Sequence, residues 1–326
     1  MLKSIKTEDL NREISTLLVQ NGVDAGDAEV VAHHLLDAEA NGYRSHGISR
    51  LRGILGLGEA LSRWSVPKIS AVAPSVLKYN ANGQLGIAAL HQAALAVAES
   101  VDGSGIVLAG VTGYIGTTGE LGSYTRLLAS KGFVGLALCG SEYAVAPYGG
   151  ARAILGTNPI AVAFPTQKFD FSADVATAAW SYGKIKNAEL QGSSVPEGVV
   201  QGAAGEISSD PADADNGSQL PMAGHKGYAL GLAIELLCGP LLGAKAGRDA
   251  VSGGDGAIII GIRADVFRDR DEVYGDAESL FDEITNSPRV SESIPIRIPG
   301  GLRLKELPGD ITVDDKILID LGLDIG

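Results

Sequence analysis

Arg44-Ser45-His46-Gly47-Ile48-Ser49-Arg50 sets an imidazole and a guanidinium four residues apart. On a helix that spacing puts both on one face. Histidine carries protons near neutral pH, and the planar guanidinium fork matches a carboxylate. Together they supply what reduction of a 2-oxo acid requires. A neighbouring cation favours the neutral imidazole, so a proton donor at His46 would need an acid to hold its proton. Asp174, in Phe171-Ser172-Ala173-Asp174-Val175-Ala176-Thr177, is the candidate, because a carboxylate amid small apolar residues is unusual. From spacing alone, a capped surface helix with a solvated histidine is an equal alternative.

Five glycines recur at every third position from Gly110 to Gly122. Such spacing lets backbone N–H groups converge and lets a ligand approach closely. The run follows a predicted strand (106–109) and precedes a predicted helix (123–131), whose N-terminus would suit a phosphate. A tightly packed turn is the alternative. No G-x-G-x-x-G occurs in the chain, which argues against a standard Rossmann nucleotide site. Gly224-His225-Lys226-Gly227-Tyr228 opens a predicted apolar helix over 229–242. A lysine there opposes the helix dipole, which suggests an anion held with it; an exposed loop lysine is the plain alternative. His33, His34 and Asp37 share a predicted helix but lack a convincing third ligand, and H-E-x-x-H is absent. No metal is expected, and they read as a solvated face.

The elements that must position these residues are of two kinds. Helices are predicted from Thr7, with Leu10, Ile14, Leu17 and Leu18 at helical spacing, over 24–40 with Gly42 as C-cap, and over 85–97. Short runs rich in Val, Ile and Leu at 105–109, 133–138 and 257–262 read as buried strands. Residues 203–220, rich in Gly, Ser, Asp and Pro, read as a surface loop, and the tail 311–326 is expected to pack on the early helices. The expected class is therefore mixed α/β, helical early and late and strand-rich between.

With 326 residues, 45% of them hydrophobic, the chain has length for about two domains and ample core. A net charge of −13 excludes nucleic acid as a default partner, without forbidding one small anion in a pocket. Cys139 and Cys238 sit in apolar runs and read as free buried thiols in a reducing cytoplasm. No apolar signal region opens the chain, and Glu235 and Pro240 interrupt the most lipid-like stretch, 228–244. That stretch reads as a buried helix, and no membrane association is expected.

The ordered motifs carry more than any one alone. Arg44-Ser45-His46-Gly47, Val145-Ala146-Pro147-Tyr148-Gly149-Gly150, Leu155-Gly156-Thr157-Asn158-Pro159, Asp174-Val175-Ala176-Thr177, Gly183-Lys184-Ile185, Pro196-Glu197-Gly198, Asp210-Pro211 and Gly224-His225-Lys226-Gly227-Tyr228 follow one another along most of the chain. In that order they resemble the malate/L-lactate dehydrogenase family, of the non-Rossmann, sulfolactate-dehydrogenase-like type. The resemblance implies an unusual α/β fold. Residues 1–112 with 262–326 would form a helical substrate and dimerisation domain, and 113–261 an NAD(P)-binding domain. It also implies a homodimer with its active sites close to the subunit interface.

The implied activity is NAD- or NADP-dependent hydride transfer to C2 of a small 2-oxo acid of malate, lactate or sulfolactate type. Reduction of a cyclic imino acid, of piperideine- or pyrroline-2-carboxylate type, is the alternative within the family. By similarity, His46 is the proton donor, Ser45 and Asp174 hold and charge it, and Arg50 grips the substrate carboxylate. Gly116, Thr117, Thr118, Gly119, Thr157 and Asn158 would lie along the cofactor. So would Asp174, Val175, Ala176, His225, Lys226 and Gly227. Many relatives carry Asn-His-Phe-Gly where this chain has Gly113-Tyr114-Ile115-Gly116. Tyr114 thus replaces a histidine taken as proton acceptor in the ureidoglycolate branch. A phenol, with a reference pKa of about 10, is a poor base, which leaves a mechanism driven by His46. Tyr114 is expected to reshape the substrate pocket instead. A catalytically inactive nucleotide-binding relative is the rival from another class; His46, Arg50, Asp174 and Lys226, all present together, weigh against it.

Overall fold

The computed structural model describes residues 2–250 and 254–323. Leu10, Ile14 and Leu18 are fully buried on one face of α1 (Thr7–Gln20). Asp24 caps α2 (Ala25–Ala40), its carboxylate accepting from the N–H groups of Gly26 and Asp27 at 2.9 and 3.3 Å. Gly42, with φ +83°, then turns the chain away as its position predicts. The short α3 (Arg50–Leu55) follows. Strand β1 (Leu2–Lys6) pairs antiparallel with a strand at Asp310–Asp314, and Ile311, Val313, Leu318 and Leu323 join the apolar core of the early helices. The tail thus packs where the sequence places it, as far as Leu323; residues 324–326 lie outside the described residues.

The central sheet uses β2 (Lys68–Ala73), β3 (Val76–Asn80), β4 (Ile106–Thr112), β5 (Phe133–Cys139), β6 (Ile160–Phe164) and β7 (Phe171–Val175). Its seventh strand arrives late. A small antiparallel sheet of β8 (Val200–Gln201), β9 (Ile207–Ser208) and β10 (Ser218–Gln219) comes first, then β11 (Ala257–Arg263) enters the centre of the large one. The order is β2-β3-β4-β11-β5-β6-β7, and only the β3–β4 pair is parallel. This mixed sheet is not the doubly wound parallel sheet of a Rossmann domain, in keeping with the missing glycine fingerprint.

Helices α4 (Gly86–Ser104) and α5 (Gly122–Ser130) cover one face of the sheet, burying Val107, Ala109, Val111, Ala137 and Ile259. Glycine makes the close approach possible. A Cβ on Gly135 of β5 would stand 2.7 Å from the Thr125 carbonyl oxygen and 2.9 Å from its Cα on α5. The chain then runs through α6 (Tyr182–Leu190), α7 (Asp213–Asn216), α8 (His225–Cys238) and α9 (Arg270–Thr285), and after β12 (Asp310–Asp314) ends in α10 (Asp315–Asp320).

Two expectations are corrected. Residues 203–220 are not simply a loop, because β9, α7 and β10 lie within them and Ala214 is buried with Ile185, Val195 and Val200. Polar turns hide the pattern there, since each element is only two to four residues long. The apolar helix α8 is half-buried, not buried. Ile234 and Cys238 pack with Ile258 of β11, while Ala229, Ala233, Leu236 and Leu237 face outward. Among the described residues no helix is long and apolar enough to cross a membrane.

Because α5 rests on the backbone at Gly135, Gly135→Val should destabilise the protein by about 1–3 kcal/mol through overpacking. Urea unfolding of the variant checks this; an unchanged midpoint would mean that α5 can shift at no cost.

Candidate active site

Glu39, near the end of α2, begins the site. Its buried carboxylate accepts from the Ile48 N–H at 3.1 Å, and Gly47 has no side chain because Glu39 fills that space. The chain therefore folds back tightly after α2. A 3-10 turn, Arg44–His46, precedes Gly47, and α3 starts only at Arg50. His46 and Arg50 thus do not share a helical face as predicted; the turn brings them together instead. Ser45 joins the two. Its Oγ lies 3.1 Å from His46 Nδ1, and its carbonyl accepts from Arg50 Nε at 2.6 Å. Gly183, at the start of α6, lies against the Ser45 side chain so closely that a Cβ would overlap it.

Burial, together with the Arg50 cation, pushes the His46 imidazole down to about 4, while Glu120 pulls it upward. The ring is therefore neutral at pH 7. Burial also lowers Arg50 from its usual value, with Tyr182 of α6 acting in the opposite sense.

Asp174 takes a different partner from the one expected. Its carboxylate accepts from the Gly122 N–H at 2.7 Å, at the first residue of α5. A side-chain anion thus occupies the helix N-terminus that the sequence offered to a phosphate. Among the described residues Asp174 makes no hydrogen bond to His46. Burial raises its carboxyl to about 6 despite the Gly122 bond, and nearby Glu120 adds to the rise.

Glu120 was not singled out by sequence reasoning. Its carboxylate is buried between two guanidiniums, with Arg126 Nη1 and Arg303 Nη1 both 2.9 Å from Oε1. Its backbone N–H donates to His34 Nε2 at 2.9 Å. His34 is not on a solvated face. It is buried, stacks with Tyr124 at 5.6 Å between centroids, and is pushed down to about 4 by burial. His33 is exposed as expected, and Asp37 pairs with Arg126 and Arg303. The available clue was a lone carboxylate between Gly119 and Gly122.

The glycine run links β4 to α5. Gly116 and Gly119 adopt φ +68° and +66°, and a Cβ on Gly119 would overlap the His34 ring. Thr117 Oγ1 accepts from the Gly119 N–H at 3.1 Å, and Thr118 Oγ1 lies 3.7 Å from Cys139 Sγ. Tyr114 is buried. It is 1% exposed in the core between sheet and helices, its hydroxyl 3.6 Å from Cys139 Sγ, and burial raises the phenol well above its usual value.

Asn158 is also fully buried, so its amide is not free for a cofactor. It donates to the Gly231 carbonyl at 2.9 Å and to Glu235 at 2.6 Å, and accepts from the Ser141 N–H at 3.2 Å. Thr157 beside it is half-buried and shares hydrogen bonds with Ser141. Val175 and Ala176 leave the edge strand β7, with Val175 exposed. His225 and Lys226 begin α8, both exposed, whereas Gly227 is buried where a Cβ would meet the Met222 carbonyl. Cys139 and Cys238 are free buried thiols, both pushed up by burial.

Comparison with known proteins agrees with the fold. Residues 5–321 match the malate/L-lactate dehydrogenase family. The L-sulfolactate dehydrogenase of Methanothermobacter thermautotrophicus is 32% identical over 96% of this chain and 94% of its own. The Delta(1)-pyrroline-2-carboxylate/Delta(1)-piperideine-2-carboxylate reductase of Pseudomonas aeruginosa is 31% identical over 85% of this chain and 87% of its own. The solved sulfolactate dehydrogenase of Methanocaldococcus jannaschii has the same fold, with a TM-score of 0.84 at 30% identity over 98% of both chains. With the ordered motifs, the mixed sheet and a match from near one end to the other in agreement, the chain belongs to the malate/L-lactate dehydrogenase family of oxidoreductases.

Proposed function

We propose that the protein is an NAD(P)H-dependent oxidoreductase of a small 2-oxo acid, with His46 moving the proton and Arg50 binding the substrate carboxylate. The Ser45-His46-Arg50 turn carries this reading. Ser45 Oγ occupies Nδ1 of the ring, and among the described residues Nε2 has no protein partner. Arg50 spends Nε on the Ser45 carbonyl, and its terminal nitrogens make no hydrogen bond among the described residues. One ring nitrogen and one guanidinium edge are thus available side by side.

The accessible members of the predicted cofactor set suit NAD or NADP. Lys226 is exposed at the start of a 14-residue helix and makes no ion pair among the described residues, a placement that fits a phosphate. Thr117, Val175 and Ala176 present surface, and Gly116 and Gly119 give the backbone a left-handed path. Tyr114 and the Asn158 amide are left out of the proposed contacts because they are buried. When bound, the dihydronicotinamide supplies the hydride.

The protein supplies position and the proton. In the ligand-free protein His46 is neutral, ready to accept a proton in the oxidative direction. A substrate carboxylate on Arg50 would offset the cation that holds the imidazole down, so binding itself would raise the proton affinity of His46. Glu120 adds negative charge that favours the imidazolium. A cyclic imino acid is the second reading, favoured by the likeness to the Pseudomonas aeruginosa reductase. It would use the same carboxylate fork and the same proton on a C=N bond.

We also read the protein as a cytoplasmic homodimer. Ala229, Ala233, Leu236 and Leu237 form an exposed apolar stripe along α8, of the kind a second subunit covers.

His46→Ala should lower turnover by about 10²–10⁴-fold while NADH or NADPH affinity, read by fluorescence titration, stays within a few fold. Retained turnover would remove His46 from the mechanism. In the oxidative direction His46 must be neutral, so kcat/KM should hold down to near pH 4 and fall below it, with the kcat limb at higher pH. A kcat/KM limb above pH 6 would contradict the assigned environment of the free ring. Leu237→Asp should convert the dimer to monomer in sedimentation equilibrium; a dimer that persists would place the interface elsewhere.

A further inference from the structure

The irregular segment between α9 and β12, residues 286–309, straps the C-terminal part of the chain across the site. Thr7 holds its far end, donating to the Pro308 and Gly309 carbonyls, and three further contacts lie nearer the site. The Pro299 carbonyl accepts from the Ser172 N–H on edge strand β7 at 3.1 Å. The Leu304 N–H donates to Asn41 Oδ1 at 2.9 Å. Between them, Arg303 turns inward, its side chain 8% exposed.

Its guanidinium is shared among segments distant in sequence. Nη1 and Nη2 reach the two Glu120 oxygens at 2.9 and 2.8 Å, and Nη2 also bonds Asp37 of α2 at 2.5 Å. The guanidinium carbon stands over the Tyr43 ring, 5.2 Å from its centroid. Arg126 of α5 meets the same two carboxylates, with Nη2 at 3.2 Å from Glu120 and 3.3 Å from Asp37. Two cations and two anions cancel in charge. What remains is geometry: each Glu120 oxygen has a donor from α5 and a donor from the strap.

Tyr43 is the residue immediately before the Arg44–His46 turn, and Asn41 stands two residues before that. Glu120 lies in the glycine-rich segment and carries the carboxylate that acts on His46 from across the site. We propose that Arg303 is a positioning residue: through one guanidinium the C-terminal strap fixes both the leading edge of the His46 turn and the Glu120 carboxylate opposite it. The proposal rests on His46 being the proton-transfer group. Arg303 itself touches neither His46 nor any site assigned to substrate.

The charged and titratable groups around His46 set the sign of the test. Arg50 acts from its own segment, Glu120 from the glycine-rich segment and His34 from α2. Asp37, Arg126 and Arg303 act through Glu120. Arg303→Met leaves two carboxylates facing one guanidinium, so the cluster becomes more negative and the His46 imidazolium is favoured. Glu120→Gln does the reverse. A strap that only adds stability would lower the melting temperature without moving His46.

The experiment is an NMR titration of the full-length protein labelled at histidine, with His46 assigned by His46→Gln, beside steady-state turnover. The expected result is an upward shift of His46 titration in Arg303→Met, a downward shift in Glu120→Gln, and kcat/KM reduced about 10–100-fold in both. Arg303→Lys, which keeps the charge and loses the paired fork, should titrate close to wild type and recover only part of the turnover. His46 titrating alike in all variants, with turnover unchanged, would overturn the proposal. Should Arg303→Met fail to fold, Glu120→Gln and Arg303→Lys decide by the same criteria. The titration needs neither cofactor nor substrate, so a wild-type protein without oxidoreductase activity would refute the proposed reaction and still leave the role of Arg303 readable.

Discussion

A carboxylate taken out of water must be met by donors, and the placement of Glu120 makes the structure obey that rule at its most crowded point. Glu120 is 3% exposed. Alone it would be untenable there, since an unpaired buried charge costs several kcal/mol, on the order of what holds a whole domain folded. Two segments answer it directly, α5 through Arg126 and the strap through Arg303, while α2 holds the same two guanidiniums through Asp37 and the Glu120 backbone N–H through His34. None of these segments can move far without stranding a charge. The turn that bears His46 lies within this frame.

The same rule works twice more. Glu235, buried in α8, accepts from the Asn158 amide and from the Gly156 and Gly247 N–H groups, tying the helix to two loops. Asp27 of α2 is buried against Gln84 and Gln92, whose carbonyls both accept from the Tyr79 hydroxyl. Aromatic side chains are few in this chain and glycines many, at 44. Polar networks of this kind therefore take over part of the specification that large apolar side chains provide in other cores. Raised carboxyls at Asp27 and Asp174 are the cost of that choice.

Element types were legible because they depend on local pattern. Leu10, Ile14 and Leu18 announce a helix whatever surrounds them, and Ala257-Ile258-Ile259-Ile260 announces a buried strand. The candidate site residues were legible only in combination: His46 and Arg50 alone suit a solvated turn equally well, and it was the order of the motifs along the chain that singled them out. Partners were not legible. Whether Asp174 faces His46 or the start of α5 is decided by where β7 lies against α5, a contact between residues 52 apart. Tyr114 could be read as replacing a polar ring, but its burial follows from packing between α4 and β5, which no local pattern reports. His34 looked exposed because its neighbour His33 is; only the stacking of α2 on Tyr124 separates them.

Strand β11 carries a consequence for how the protein is made. It is the strand on which the two halves of the main sheet meet, antiparallel to β4 on one side and β5 on the other. Until residues 257–263 leave the ribosome, β4 and β5 have no partner between them, and each presents an open row of backbone donors and acceptors. Unpaired edges of this kind recruit other chains. The centre of the molecule is completed only when most of the polypeptide has already been synthesised, and from the emergence of β5 until then both edges stay open. Truncation between residues 176 and 256 leaves not a smaller enzyme but two half-sheets.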